Sequence, residues 1–275
     1  MIKRLLKLAF YTIVILLTAS YVHGRTQTPS NDRDWVEEQK VLAYAETNNN
    51  LVTIKNIRNF RFQESEDKFT PGYYDKTFDL DKIKNIHYIV ERFSNFKGEA
   101  HTFLSFEFED NNFVSITVEA RKEKGEKWDP FNGMLNKYEL MYIIADERDA
   151  LRLRTNTRNH DVWSYPVKAT KEKKQQMFKE MVDAATYLKD NPKFYNTIWS
   201  SCTTAIVKHV NDVTPSKVPF SLKFLLPGYS GKLAHEIGMI DTELSFEEAE
   251  KKFMISEKAR QYAHDEDFSV KIREN

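Results

Sequence analysis

The segment HTFLSFEFEDNNFVSITVEAR, His101–Arg121, decides the fold because it contains two runs in which apolar and polar residues alternate. Alternation with a period of two is typical of a strand that buries one face. The intervening EDNN, Glu109–Asn112, has the composition of a turn. The segment therefore predicts an antiparallel hairpin. Its two apolar rows are Leu104, Phe106 and Phe108 on the first strand, and Val114, Ile116 and Val118 on the second.

The register of this hairpin follows from residue parity. Both apolar rows carry even numbers and must share one face, because a slip of one residue would move one row to the other side. A three-residue loop at Asp110–Asn112 meets this condition and pairs Phe103 with Glu119 and His101 with Arg121. His101 and Glu119 would then be diagonal neighbours on one face, about 7–8 Å apart at the backbone. The pattern predicts an imidazole within reach of a carboxylate.

The rest of the chain predicts further strands and then helices. Apolar residues recur at intervals of three and four over residues 171–190, which indicates an amphipathic helix. We expect an α+β fold in which an antiparallel sheet packs against helices. The other predicted strands cover residues 51–62, 86–93, 138–145, 150–156 and 161–167, and the other predicted helices cover residues 34–47 and a segment from Ser200 or Ser201 through Val210.

The N-terminus predicts export. Basic residues at 3, 4 and 7 precede the apolar run LAFYTIVILL, so residues 1–24 read as a signal peptide or, if uncut, as a membrane anchor. Residues 33–240 are expected to form one domain in the periplasm or on the outer face of the cytoplasmic membrane. Residues 241–275 are expected to form a charged, helical, peripheral C-terminal extension.

Composition excludes several classes of function. Lys plus Arg and Asp plus Glu number 41 each, so the basic footprint of a nucleic-acid-binding protein is missing. No spacing of His, Cys and Asp matches a metal-ligand set, and no glycine-rich phosphate loop is present. We therefore expect neither a metal nor a cofactor.

Cys202 is the single cysteine of a chain that is expected to be exported, where cysteines usually occur in pairs. It is either an inert buried side chain or a nucleophile. If Ser200 or Ser201 caps a helix, Cys202 lies in the first turn, where the helix dipole favours a thiolate. His101 is the best candidate to take the thiol proton, with Glu119 to orient the imidazole. Five other histidines compete for this role: His87, His160, His209, His235 and His264.

Six sequence segments in order make the chain recognisable: AHTFLSFEF, ITVEARKEKGEKWDP, YELMYIIADERDALRLRTN, WSYPV, FYNTIWSSCTT and LPGYS. Together they resemble the periplasmic domain at the N-terminus of the bacterial lipoprotein N-acyltransferase Lnb, over roughly residues 35–240. The resemblance implies a papain-like, circularly permuted cysteine enzyme in which the histidine precedes the cysteine.

The resemblance assigns roles to individual residues. His101 falls on the family histidine, Glu119 and Arg121 on its EAR stretch, and Cys202 on its CTT stretch. The family usually has asparagine before the cysteine, whereas this chain has Ser201. An oxyanion hole here would therefore depend on the backbone N–H of Cys202.

The activity implied is acyl transfer. Cys202 would attack a phospholipid ester, with His101 as base, and the resulting thioester would acylate the N-terminal amine of a lipoprotein. Expected partners are a phospholipid donor, a lipoprotein acceptor and the membrane surface. Arg121, Tyr195 and Asn196 are the predicted substrate-binding residues.

Two alternatives remain open from the sequence. The same groups would serve a periplasmic cysteine peptidase or amidase that acts on cell-wall peptides, and a non-catalytic envelope module is the third possibility. A lipid substrate predicts an apolar channel beside Cys202, built from aromatic residues such as Phe103, Phe194 and Trp199. A cell-wall peptide predicts a polar groove.

Overall fold

A computed structural model of the chain describes residues 26–274, together with residues 3, 4, 7, 10–12, 18, 22 and 24. The strands are β1 (Tyr44–Asn48), β2 (Leu51–Arg58), β3 (Arg61–Phe62), β4 (Phe69–Thr70), β5 (Tyr73–Asp79), β6 (Ile83–Arg92), β7 (Ala100–Phe108), β8 (Asn112–Arg121), β9 (Glu139–Asp146) and β10 (Asp161–Pro166). The helices between residues 147 and 271 are α1 (Glu147–Arg152), α2 (Lys171–Asp190), α3 (Cys202–Val213), α4 (Ser230–Glu236), α5 (Phe246–Lys252), α6 (Ser256–Gln261) and α7 (Phe268–Lys271).

One large sheet organises the fold. Its strands run in the order β1-β2-β9-β8-β7-β6-β10, with β5 also paired to β2, while β3 and β4 form a separate small ribbon. The pairing of β2 with β9, at Arg58 and Ala145, is parallel. The other pairs in the described structure are antiparallel. The predicted α+β class is confirmed, with a mixed and mostly antiparallel sheet.

The β7–β8 hairpin has the predicted parity, but its predicted register is wrong by two residues. Phe103 pairs with Thr117 rather than with Glu119, because the loop begins one residue earlier than predicted. Asp110 and Asn111 adopt φ angles of 58° and 55° within this loop. Asp and Asn tolerate this left-handed region, which closes the turn sooner. Continued past the last pair, the register places His101 directly across from Glu119.

The sheet is buried on both faces. The even-numbered apolar rows of β7 and β8 lie in the larger core, which α2 and α3 cover. The odd-numbered Phe103 lies in a second core on the other face, which α1, α6 and α7 help to cover. Ala259, Phe268 and Ile272 are each at most 1% exposed there. The C-terminal segment therefore belongs to the core of the fold.

Two local predictions are wrong. Residues 34–47 form a short 3₁₀ turn, Glu37–Gln39, and then β1, because the turn at Asn49 (φ 51°) folds β1 back on β2. Residues 150–156 form the end of α1 and a π-helical turn, Leu153–Thr157, where a strand was expected. Asp146 starts this helix by accepting a hydrogen bond from the backbone N–H of Arg148 at 2.9 Å. The alternation of apolar and polar residues over 150–156 predicted a strand, because this pattern carries no information about the helix N-cap at Asp146.

The predicted signal peptide or anchor lies mostly outside the described residues. Among the residues that the structure does describe, no helix combines the length and the apolar character needed to cross a membrane.

Candidate active site

Helix α3 begins at Cys202, and Ser201 is its N-cap, as the sequence predicts. The Ser201 hydroxyl accepts from the backbone N–H of Thr204 at 3.4 Å, and the Thr204 hydroxyl accepts from the N–H of Ser201 at 2.8 Å. This reciprocal capping box fixes the first turn. The thiol of Cys202, which is 7% exposed, therefore lies at the positive end of the helix dipole.

His101 is held from one side by the neighbouring strand. Its Nε2 lies 2.6 Å from the hydroxyl of Thr117 and 3.1 Å from Oε1 of Glu119. The Thr117 hydroxyl donates in turn to the same Glu119 oxygen at 2.9 Å. Because Nε2 is committed to this pair, Nδ1 is the ring nitrogen left for the thiol. The sequence predicted that His101 and Glu119 are close, but it did not predict the role of Thr117.

Histidine and cysteine stabilise each other's charged forms. Burial disfavours charge on His101, but the charges of Glu119 and Cys202 raise its pKa to about 10. Burial also raises the pKa of the Cys202 thiol, but His101 and a backbone hydrogen bond from Thr102 outweigh burial and lower that pKa below its usual range. Both shifts favour a thiolate next to an imidazolium over the neutral pair.

Arg154 contacts Glu119, and the sequence did not identify it as a residue of the site. It projects from the π-helical turn, where its Nη2 donates to Oε1 of Glu119 at 3.4 Å and its Nε donates to Oε2 of Glu91 at 2.7 Å. Its guanidinium lies over the ring of Phe103 at 4.5 Å. Burial disfavours ionisation of Glu119, but His101 and Arg154 hold the pKa of this carboxyl well below its usual range. Single π turns often occur at functional sites.

Glu91 is the second carboxylate that Arg154 contacts. It is fully buried and stands opposite His101 in the β6–β7 pairing. His160 Nδ1 lies 2.8 Å from one of its oxygens, and Arg158 donates to the same oxygen at 3.3 Å. Burial raises the pKa of Glu91, but the surrounding charges, Arg154 first, lower it to about 2. The feature of the sequence that could have indicated this residue is the presence of a glutamate within the mostly apolar strand β6.

Arg121 is placed differently from the sequence expectation. It is 2% exposed and stacks on the ring of Trp35 at 4.1 Å. Its side chain donates to Gln39 O at 2.9 Å, Lys40 O at 2.8 Å and Asn31 Oδ1 at 3.0 Å. Arg154, and not Arg121, contacts Glu119 within the described structure. These contacts favour a structural role for Arg121, as the anchor of the segment that precedes β1.

Tyr195 and Asn196 lie in the segment that leads to α3. Tyr195 is 5% exposed, and its pKa is raised by burial and by the nearby charge of Cys202. Asn196 shapes the turn before α3, since its Oδ1 accepts from the backbone N–H groups of Ile198 at 2.9 Å and Trp199 at 3.1 Å. Tyr195 is thus close to the thiol, whereas Asn196 positions the chain that leads to it.

An apolar cavity of about 90 Å³ lies between the sheet, α3 and α4. Thr203, the residue after Cys202, lines it. The aromatic lining expected from the sequence is wrong, because Phe103 is fully buried in the second core and Trp199 is 75% exposed. Other lining residues are Ile86, Tyr88, Leu104, Val167, Met177, Ile206, Val207, Val210, Val218, Phe224, Ser230, Leu233, Ala234, Ile237, Met239 and Ile240.

One group of potential metal ligands occurs among the described residues. Glu180, His209 and Asp212 offer ligand atoms within 4.8 Å of one another. Asp212 is paired with Lys208 at 2.7 Å, and Nε2 of His209 lies 2.7 Å from the Tyr142 hydroxyl. His209 is seven residues beyond Cys202, about 10 Å along the helix axis. This group is therefore separate from the cysteine site.

The fold and the site define an α+β protein in which a helix presents a cysteine to a histidine and a glutamate on a strand hairpin. The profile of the Lnb N-terminal periplasmic domain matches residues 69–228, more than half of the chain, including all three residues. The chain belongs to this family. Because the family is a periplasmic one, the predicted localisation is confirmed. No curated protein and no solved structure matches the chain.

Proposed function

We propose that the protein is a papain-like, circularly permuted cysteine acyltransferase that moves a fatty acyl chain from a phospholipid to the N-terminal amine of a lipoprotein. The observation that carries the proposal is the thiol of Cys202 at the N-terminus of α3, beside a His101 ring that Glu119 orients. A thiolate paired with an imidazolium is the resting state that acyl transfer through a thioester requires.

In the first half-reaction, the Cys202 thiolate attacks the carbonyl carbon of the phospholipid ester. The backbone N–H of Cys202, which lies in the first turn of α3 and has no partner within the helix, would donate to the developing oxyanion. The ester C–O bond then breaks, and the His101 imidazolium gives its proton to the leaving alkoxide. The products are a lysophospholipid, an acyl thioester on Cys202 and a neutral imidazole.

In the second half-reaction, the lipoprotein amine attacks the thioester. Neutral His101 takes a proton from this nitrogen as the C–N bond forms. The C–S bond breaks, and the thiolate returns beside the imidazolium. Glu119 holds the ring in one orientation throughout, so that the same nitrogen serves both steps.

The apolar cavity favours a lipid substrate over a cell-wall peptide. A charged peptide needs polar partners along its groove, whereas this wall is almost entirely hydrocarbon. Hydrolysis by the same cysteine stays the alternative, with water in place of the amine.

Exposed apolar side chains near this cavity support a membrane partner. Phe96 and Leu226 approach each other across Gly98, and the backbone N–H of Gly228 donates to Gly98 O at 3.1 Å. Leu225 is 41% exposed in the same segment. Contiguous exposed apolar groups are typical of surfaces that contact a membrane or another protein.

The test is to express the chain in a strain depleted of its own lipoprotein N-acyltransferase. Mass spectrometry of a model lipoprotein should show one additional acyl chain at its N-terminus with the wild type and none with Cys202→Ser. No gain with either protein overturns the transferase, and gain with both overturns the nucleophile. Release of free fatty acid without N-acylation would instead support the hydrolase.

A further inference from the structure

We propose that the apolar cavity along α3 is the binding site for the acyl chain while that chain is esterified to Cys202. This inference rests on the proposed function and assigns the part of the molecule that binds the hydrocarbon. Its occupant is a fatty acyl chain, and the lining residues select for it.

The cavity follows one face of α3, starting at the residue after Cys202. Thr203 lines it, and the Thr203 hydroxyl lies 3.8 Å from Sγ of Cys202. Ile206, Val207 and Val210 continue the wall on the next two turns. Thr203 and Val210 are separated by about 10 Å along the helix axis. An acyl group on Sγ thus enters the cavity at one end.

The polar groups in the wall are already bonded within the protein. The Tyr88 hydroxyl donates to Oγ of Ser230 at 2.6 Å, and the hydroxyls of Thr203 and Thr102 lie 3.0 Å apart. Burial, and then the nearby charge of Cys202, raises the pKa of Tyr88, so these hydroxyls mark the cysteine end. A site whose polar groups are satisfied favours a ligand without polar atoms.

The volume indicates which part of the chain is enclosed. A dry apolar cavity of roughly 150 Å³ accommodates benzene, so about 90 Å³ has room for only the first few carbons of a chain. Val218 and Phe224 also line the cavity, and Phe224 is followed by the exposed Leu225 and Leu226. The remaining carbons would leave past Phe224 towards this exposed apolar surface, and so towards the membrane.

The first experiment maps the site without relying on catalysis. The Cys202→Ala protein is mixed with hexadecanoic acid that carries a diazirine within its first few carbons, irradiated, and analysed by peptide mass spectrometry. The expected label falls on peptides that contain residues 203–210, 218–224 or 233–240 and is suppressed by unlabelled hexadecanoic acid. Label elsewhere, or label that the competitor does not suppress, overturns the inference. Because transfer is not measured, a failure of the proposed transferase would not alter this readout.

The second experiment fills the far end of the cavity. Val210→Phe places extra volume in the wall, while Val213→Phe makes the same change three residues along the helix, outside the lining. Acylation of Cys202 by 4-nitrophenyl dodecanoate should fall about tenfold or more in Val210→Phe relative to acylation by the butanoate ester. Val213→Phe should leave this ratio unchanged, and thermal unfolding verifies that both fold. Equal loss for both esters in Val210→Phe would overturn the inference.

Discussion

His101 and Glu119 face each other across the β7–β8 hairpin, with Nε2 of the imidazole 3.1 Å from Oε1 of the carboxylate. Both residues lie on strands, and the register between these strands brings the two side chains together. A register shift of two residues would keep every apolar side chain on its face, but the two residues would then be diagonal neighbours about 7–8 Å apart at the backbone instead of directly opposed. The candidate site therefore depends on the turn at Asp110 and Asn111.

The thiol of Cys202 should react as a thiolate well below the pH at which a free thiol does. An ordinary thiol with a pKa of about 8.5 is alkylated roughly 75-fold more slowly at pH 6 than at pH 8. His101 lowers the pKa of Cys202, so its thiolate persists as the pH falls and the rate with iodoacetamide should change far less. His101→Gln should restore the steep dependence. A steep profile in the wild type would contradict the ion pair.

Glu119→Gln should lower acyl transfer by about 10²- to 10⁴-fold, because the amide no longer stabilises the His101 imidazolium. The thiol pKa should rise with it, and this is measurable as a shift of the alkylation profile to higher pH. Thr117→Val serves as the milder comparison, since it removes one hydrogen bond and leaves the Glu119 charge in place. Equal effects of the two variants would argue against the charge as the cause.

Arg154→Gln should destabilise the protein by about 3–5 kcal/mol, because it leaves the fully buried Glu91 carboxylate without its main partner. Arg158→Gln is the matched control. Its side chain is 26% exposed, so a loss of at most about 1 kcal/mol is expected. Urea unfolding measures both free energies. Adding Glu91→Gln to Arg154→Gln should recover part of the loss; no recovery would show that the charge is not responsible.

Ser201→Ala should cost about 1 kcal/mol of unfolding free energy, because it removes the side-chain half of the capping box with Thr204. Ser201→Asn, which introduces the residue that the family usually has there, keeps a capping side chain and should stay within about 0.5 kcal/mol of the wild type. Thermal unfolding distinguishes the two. If both variants lose the same free energy, the cap is not the source of the stability.

The parts of the site that sequence predicted are those fixed by local rules. Alternation set the face of His101, and a serine before the helical pattern set the cap before Cys202. Asp146, in contrast, starts a helix where the alternating residues 150–156 resemble a strand, so the sequence did not reveal that Arg154 lies on a π-helical turn. Glu91 and Arg154 meet from segments sixty-three residues apart in the chain. No local pattern encodes a contact of that kind.

The three short C-terminal helices determine how much of the chain must be produced for biochemical work. Phe103 has its ring centroid 6.0 Å from that of His101, and it shares the second core with Ile255 and Phe268, which lie beyond the end of the family match at residue 228. An expression fragment cut at that boundary would leave the face of β7 that carries Phe103 open to water. We expect such a fragment to aggregate, and purified material should therefore extend to about residue 274.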